Sequence, residues 1–212
     1  MRGSFSSGRP AAFLLVLGVT LWASPPADQE LLSRSRSAVA SLQRSLLAAL
    51  GEALSKGGPA AAVEVCREKA PLLAEEASRE NGVSIRRTAL RVRNPRNAPD
   101  GWEKALLEDF EERIRKGEDP STLERWEVRS EEGRSVFRYL KAIPTGEPCL
   151  RCHGPSLEES LGRRIKALYP EDQAVGFQKG DLRGAFSVRI FLGPRGNPIE
   201  PVPTTSTQGG SP

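Results

Sequence analysis

Cys149-Leu150-Arg151-Cys152-His153 sets two thiols three residues apart and an imidazole directly after the second. Two sulfurs at this spacing can add to the two vinyl groups of a haem, and the adjacent histidine can reach the iron from one face. C-x-x-C-H therefore reads as c-type haem attachment, with thioethers at Cys149 and Cys152 and His153 as an axial ligand. His153 is the one histidine of the chain and stands where the pattern needs it, which excludes chemistry that depends on several histidines. Two other uses compete, beside a chance occurrence with no ligand at all. A disulfide or thioredoxin-like redox pair belongs at the start of a helix beside a strand, whereas Pro148 precedes the motif and Gly154-Pro155 follow it, so a loop is expected from Pro144 to Pro155. A zinc site could draw on Cys66, Cys149, Cys152 and His153, but the side chains of neighbours such as Cys152 and His153 rarely converge on one ion.

The second axial position follows by exclusion. Met1 is the one methionine and no second histidine exists, so Met/His and bis-histidine ligation within the chain are both excluded. Cys66, a lysine, Tyr139, Tyr169, water or an open site remain. Cys66 is the odd thiol once the haem consumes two of the three cysteines, and Arg67 and Lys69 nearby favour its thiolate. Arg86, Arg87, Arg151 and Lys141 could neutralise haem carboxylates, while Trp102 and Phe110 read as core.

These groups must be positioned by a chain of 212 residues, 38% hydrophobic and 27% charged, a length and composition suited to one folded domain with appendages. The 31 basic and 27 acidic residues are mixed along the chain, so no nucleic-acid partner is expected. Arg2 and Arg9 precede an apolar run from Ala11 to Ala23, with Pro25-Pro26 after it. That fits a secretory signal peptide over residues 1–24 and an exported, periplasmic or extracytoplasmic protein. Uncleaved, the run would be a short N-terminal anchor and the one expected membrane contact.

Leu31, Ala38, Leu42, Leu46, Leu50 and Leu54 recur at helical spacing, Gly57-Gly58-Pro59 stops that helix, and a second runs to about Glu80 with a kink or break expected near Ala70, before Pro71. A strand is expected over 83–93, a helix from Asp100 to Gly117, a hairpin from 125–130 and 134–143 around Glu131-Glu132-Gly133, and a short helix after a Ser156/Glu159 capping box. Phe186, Val188, Ile190 and Leu192 alternate on a last strand. The order suggests an α+β domain over 28–192 with an antiparallel sheet. Residues 193–212, rich in Pro, Thr, Ser and Gly, read as a disordered tail.

Ile85-Arg86-Arg87-Thr88, Val92-Arg93-Asn94-Pro95, Asn97-Ala98-Pro99-Asp100, Trp102-Glu103, Phe137-Arg138-Tyr139, the C-x-x-C-H motif with Gly154, Tyr169-Pro170 and Gly180-Asp181-Leu182-Arg183-Gly184-Ala185-Phe186-Ser187 occur in this order over roughly residues 30–190. Together they resemble a single-haem c-type cytochrome family long labelled a domain of unknown function. The resemblance implies a PAS-like haem-binding sensor fold and an axial cysteine on an N-terminal helix, corresponding to Cys66 in Val63-Glu64-Val65-Cys66-Arg67. With His153 and Cys66 both on the iron, the expected role is one-electron transfer or redox sensing with a redox partner protein, and no enzymatic turnover. The alternative is a gas or small-ligand sensor in which Cys66 dissociates on reduction.

Overall fold

The computed structural model describes residues 26–194 and 196–199; the expected signal peptide and the tail beyond Ile199 lie outside them. Helix α1 spans Pro26–Asn81 and is broken once, at Gly58, whose φ of 66° belongs to the left-handed region that glycine enters without a Cβ clash. Pro59 then opens the second arm, where its missing N–H costs nothing. The arms fold back on each other: Arg34 donates to the carbonyls of Asn81 at 3.1 Å and Gly82 at 2.8 Å, and the Ser41 hydroxyl donates to Glu80. The break expected near Ala70 is absent. The dihedrals stay helical through Pro71, and Arg67, whose carbonyl loses a donor there, is exposed and can be hydrated.

Four strands, β1 (Ser84–Thr88), β2 (Glu124–Glu131), β3 (Arg134–Pro144) and β4 (Leu182–Leu192), form an antiparallel sheet in the order β1-β4-β3-β2. This establishes the α+β architecture of a long N-terminal helix on an antiparallel sheet. Glu132 and Gly133 close the β2–β3 hairpin at φ values of 51° and 76°, which suits the right-handed twist of the strands. Register pairs Ile85 with Val188 and Val188 with Tyr139, and this face packs on Leu31, Ala38 and Leu42 of α1. The opposite face receives Leu107 and Phe110 of α2 (Gly101–Arg115) on Leu140, Ala142 and Ala185. Asp100 caps α2 and its side chain exchanges hydrogen bonds with Glu103 in a capping box.

Four expected segments differ. The strand over 83–93 stops at Thr88, because the Ala89 N–H turns to the carbonyl of Asn97 and the Val92 carbonyl accepts from Gln173. The loop over 144–155 contains a helix, α3 (Glu147–His153), with Pro148 tolerated in its first turn. Helix α4 (Glu159–Leu168) is capped by Glu158 accepting from the Ser160 N–H, so the Ser156/Glu159 box does not form. Residues 193–194 and 196–199, part of the expected disordered tail, double back on β4: the Gly193 N–H donates to the Asn197 carbonyl at 2.8 Å, and the Ile199 N–H donates to Phe191 at 2.7 Å.

Candidate functional site

Helix α3 follows directly on β3 and carries Cys149 and Cys152 at i and i+3, on one face of a single turn. His153 ends the helix. Its Nδ1 lies 2.6 Å from the Ala174 carbonyl oxygen. A carbonyl can only accept, so Nδ1 carries the proton and Nε2 keeps its lone pair; Nε2 makes no hydrogen bond among the described residues. Burial, reinforced by the charges of Arg183 and Arg93, pushes the imidazole pKa down to about 2. The ring is therefore neutral throughout the physiological range, the state required of a metal ligand.

The segment supplying that carbonyl is tied to the motif. Gly176 N–H donates to Gly154 at 3.0 Å and Phe177 N–H to the His153 carbonyl at 2.9 Å. Arg93, buried and far away in sequence, sends Nη2 to the Cys152 carbonyl at 2.7 Å, to Asp172 at 3.0 Å and to the Ala174 carbonyl at 3.2 Å. Asp172 also accepts the Ala174 N–H at 2.9 Å. Arg93 and Asp172 thus fix the carbonyl that fixes His153, a role that nothing in their local sequence signals. Phe177 meets the imidazole edge-on, with ring centroids 6.3 Å apart.

Cys66 arrives from the second arm of α1. Val63, one turn earlier, packs with Leu161, Ile165 and Tyr169, and Cys152 lies against the same cluster; Glu64 pairs with Arg164 of α4. Burial raises the Cys152 thiol pKa, and Cys66 is near enough to contribute in the same direction, as it does for Tyr169. The four singled-out residues therefore gather at one end of the molecule. All three cysteines are free thiols, and among the described residues no three His, Cys, Asp or Glu side chains converge on a metal-binding point, so the zinc arrangement is not formed. Arg67 and Lys69 are exposed. Tyr139 is removed from the candidates for the iron, since its hydroxyl donates to Glu124 at 2.6 Å in the sheet. Arg86 and Lys141 are likewise engaged elsewhere, with Glu103 and with the Ser121 carbonyl.

The helical placement of Cys149 meets the geometric requirement of a dithiol redox pair, the ground on which that use was set aside. The imidazole argues otherwise. A histidine held neutral cannot stabilise a thiolate as an imidazolium does, while a clamped Nδ1 and a free Nε2 are the arrangement of a metal ligand. The residues fit a haem: two partly accessible sulfurs on one turn, a neutral oriented imidazole beside them, and Thr145 Oγ1 and Arg93 Nε buried near the motif without partners.

An antiparallel sheet backed by a helical hairpin, with three thiols and an oriented imidazole at one end, defines the class. Residues 27–190 match the model of the Tll0287-like family, and the chain belongs to that family. Its fold is similar to that of the cyanobacterial heme-protein Tll0287 in its crystal structure, with a TM-score of 0.58 and 24% identity over 82% of this chain and 98% of that one. No functionally curated protein matches the chain.

Proposed function

We propose that this protein is an exported mono-haem c-type cytochrome, with haem c attached through Cys149 and Cys152 and ligated by His153 and Cys66, that transfers or senses single electrons. The observation that carries the reading is the His153–Ala174 hydrogen bond, which leaves Nε2 unprotonated beside two thiols on one helical turn. Family membership and the fold shared with a heme-protein support it. The PAS-like description belongs to the same reading, supported by the antiparallel sheet with helices on both faces.

The haem iron would supply a one-electron couple. The protein's part is to orient and tune. His153 donates through Nε2 while Ala174 raises its basicity through Nδ1. Cys66, on the arm of α1 that packs against α4, would give the haem iron a sulfur ligand, which favours the ferric state and a low potential. With His153 and Cys66 both held by the haem, no ligand position would remain for a substrate, which supports exchange with a redox partner protein over catalysis.

The test is an optical spectrum, ferric and dithionite-reduced, of protein matured in a haem-attaching host, beside Cys66→Ala. Covalent haem whose ferric bands change on losing Cys66 is expected. Unchanged bands would move the sixth ligand elsewhere, CO binding by the reduced wild type would favour the gas-sensor alternative, and absence of haem would return Cys149 and Cys152 to thiol chemistry.

A further inference from the structure

Arg183, at the start of β4, is a half-buried cation without an anion. Its guanidinium makes no hydrogen bond or ion pair among the described residues, and burial followed by the charges of Arg93 and Arg87 lowers its pKa to about 10. The nearby carboxylates are occupied: Asp172 by Arg93 and the Ala174 N–H, Asp181 by the Gln178 N–H, and Glu147 by Lys179. Arg87 of β1, opposite Phe186 of β4 in the register and near enough to act on Arg183, also lacks an ion-pair partner among the described residues. Two half-buried like charges close together with no anion between them call for a negative ligand.

Their position says which one. Arg183 lies over the Phe177 ring at 5.2 Å, and that ring abuts His153. Arg183 is also close enough to Cys149 for a thiolate there to raise its pKa. A guanidinium fork matches a carboxylate in two parallel hydrogen bonds. We infer that Arg183, with Arg87 beside it, seats the propionate carboxylates of the haem attached at Cys149 and Cys152. This rests on the haem reading above and adds to it a side chain that sets the potential. A fixed cation at the propionates favours the electron-richer reduced state, so losing it lowers the midpoint potential.

The test compares haem-loaded wild type, Arg183→Gln and Arg183→Lys by redox titration and resonance Raman spectroscopy, with and without added inorganic phosphate. Arg183→Gln is expected to keep covalent haem, shift its potential downward and shift the propionate bending bands. Lysine should restore most of the potential, and phosphate should not move the wild type. Equal potentials and unshifted bands in wild type and Arg183→Gln overturn the inference while leaving the haem reading intact. So does a wild-type potential that moves with phosphate and stops moving in Arg183→Gln, which makes the pair a site for a free anion. Wild type without covalent haem overturns the haem reading and this inference together.

Discussion

Arg93 Nη2 lies 2.7 Å from the carbonyl oxygen of Cys152, so a side chain just beyond β1 holds the backbone of the motif helix. The same nitrogen reaches Asp172, and with side chains 9% and 6% exposed this is the most buried pair near the site. Arg93→Ala leaves Asp172 without its cation and takes a donor from the Cys152 and Ala174 carbonyls at once. Breaking a buried pair by removing one partner costs about 3–5 kcal/mol. The expected outcome is a fall of that order in urea-unfolding stability, with reduced haem loading because the Ala174 carbonyl loses its brace.

Glu103 offers the control on the other face of the sheet. It is buried, accepts from Arg86 and the Thr88 hydroxyl, and faces Arg138, whose guanidinium is as buried as itself. Glu103→Gln should destabilise by an amount comparable to Arg93→Ala, since Arg138 keeps Asp100 and Glu131 but the buried charge is no longer balanced. Its partners are Arg86, Thr88, Asp100 and Arg138, none of which bonds to His153 or a cysteine among the described residues. Haem that attaches stoichiometrically, with an unchanged ferric spectrum, is therefore the expected readout; an altered spectrum would show that the two faces are coupled.

These two arginine networks show why the sequence is unevenly legible. Helix α2 and strand β4 announce themselves: Asp100 and Gly117 punctuate one, and Phe186, Val188, Ile190 and Leu192 alternate along the other. Helix α3 does not, since Gly146 and Pro148 read as loop residues until the helix shows one as its N-cap and the other in its first turn. C-x-x-C-H is a local pattern and Cys66 stands out as the odd thiol, so the candidate ligands are visible. Arg93 and Asp172 lie 79 residues apart, and only the fold brings them together.

Acid should loosen the protein through carboxylates that the fold stabilises in their charged form. Burial pushes Glu124 upward, but hydrogen bonds from Arg36 and Tyr139 prevail and hold its pKa below the ordinary 4.5. Arg138 and Arg189 do the same for Glu131. A folded pKa below the unfolded one means the unfolded chain binds more protons in the intervening range. The stabilisation is present above about pH 4.5 and is lost as pH falls through the depressed values. Urea midpoints should begin to fall below about pH 6.5, where the unfolded chain protonates His153 while the folded ring stays neutral, and fall more steeply below about 4.5 as the carboxylates follow; Glu124→Gln should start lower and lose less of that steeper part.

Gly154 tests how tightly the end of α3 is built. A Cβ there would lie 2.5 Å from the Leu150 carbonyl oxygen, the group that accepts the Gly154 N–H at 2.9 Å. The backbone at Gly154 has an ordinary φ of −68°, so the cost of alanine is steric and not conformational. The obstructing oxygen belongs to the last turn of α3, and it can move only if that turn unwinds, displacing Cys152 and His153 with it. Gly154→Ala should therefore cost about 1–3 kcal/mol and lower the haem-to-protein ratio measured by pyridine haemochrome assay. Gly58→Ala is the informative contrast, because its φ is +66° but nothing lies within 4 Å of the added carbon. Its ψ of −164° puts it in a region essentially reserved for glycine, so alanine should cost about 1–3 kcal/mol of backbone strain at the helical break while leaving loading and spectrum unchanged. Full loading with unaltered stability in Gly154→Ala would mean that the last turn of α3 yields without disturbing the histidine, and that the Ala174 carbonyl alone suffices to hold the ring.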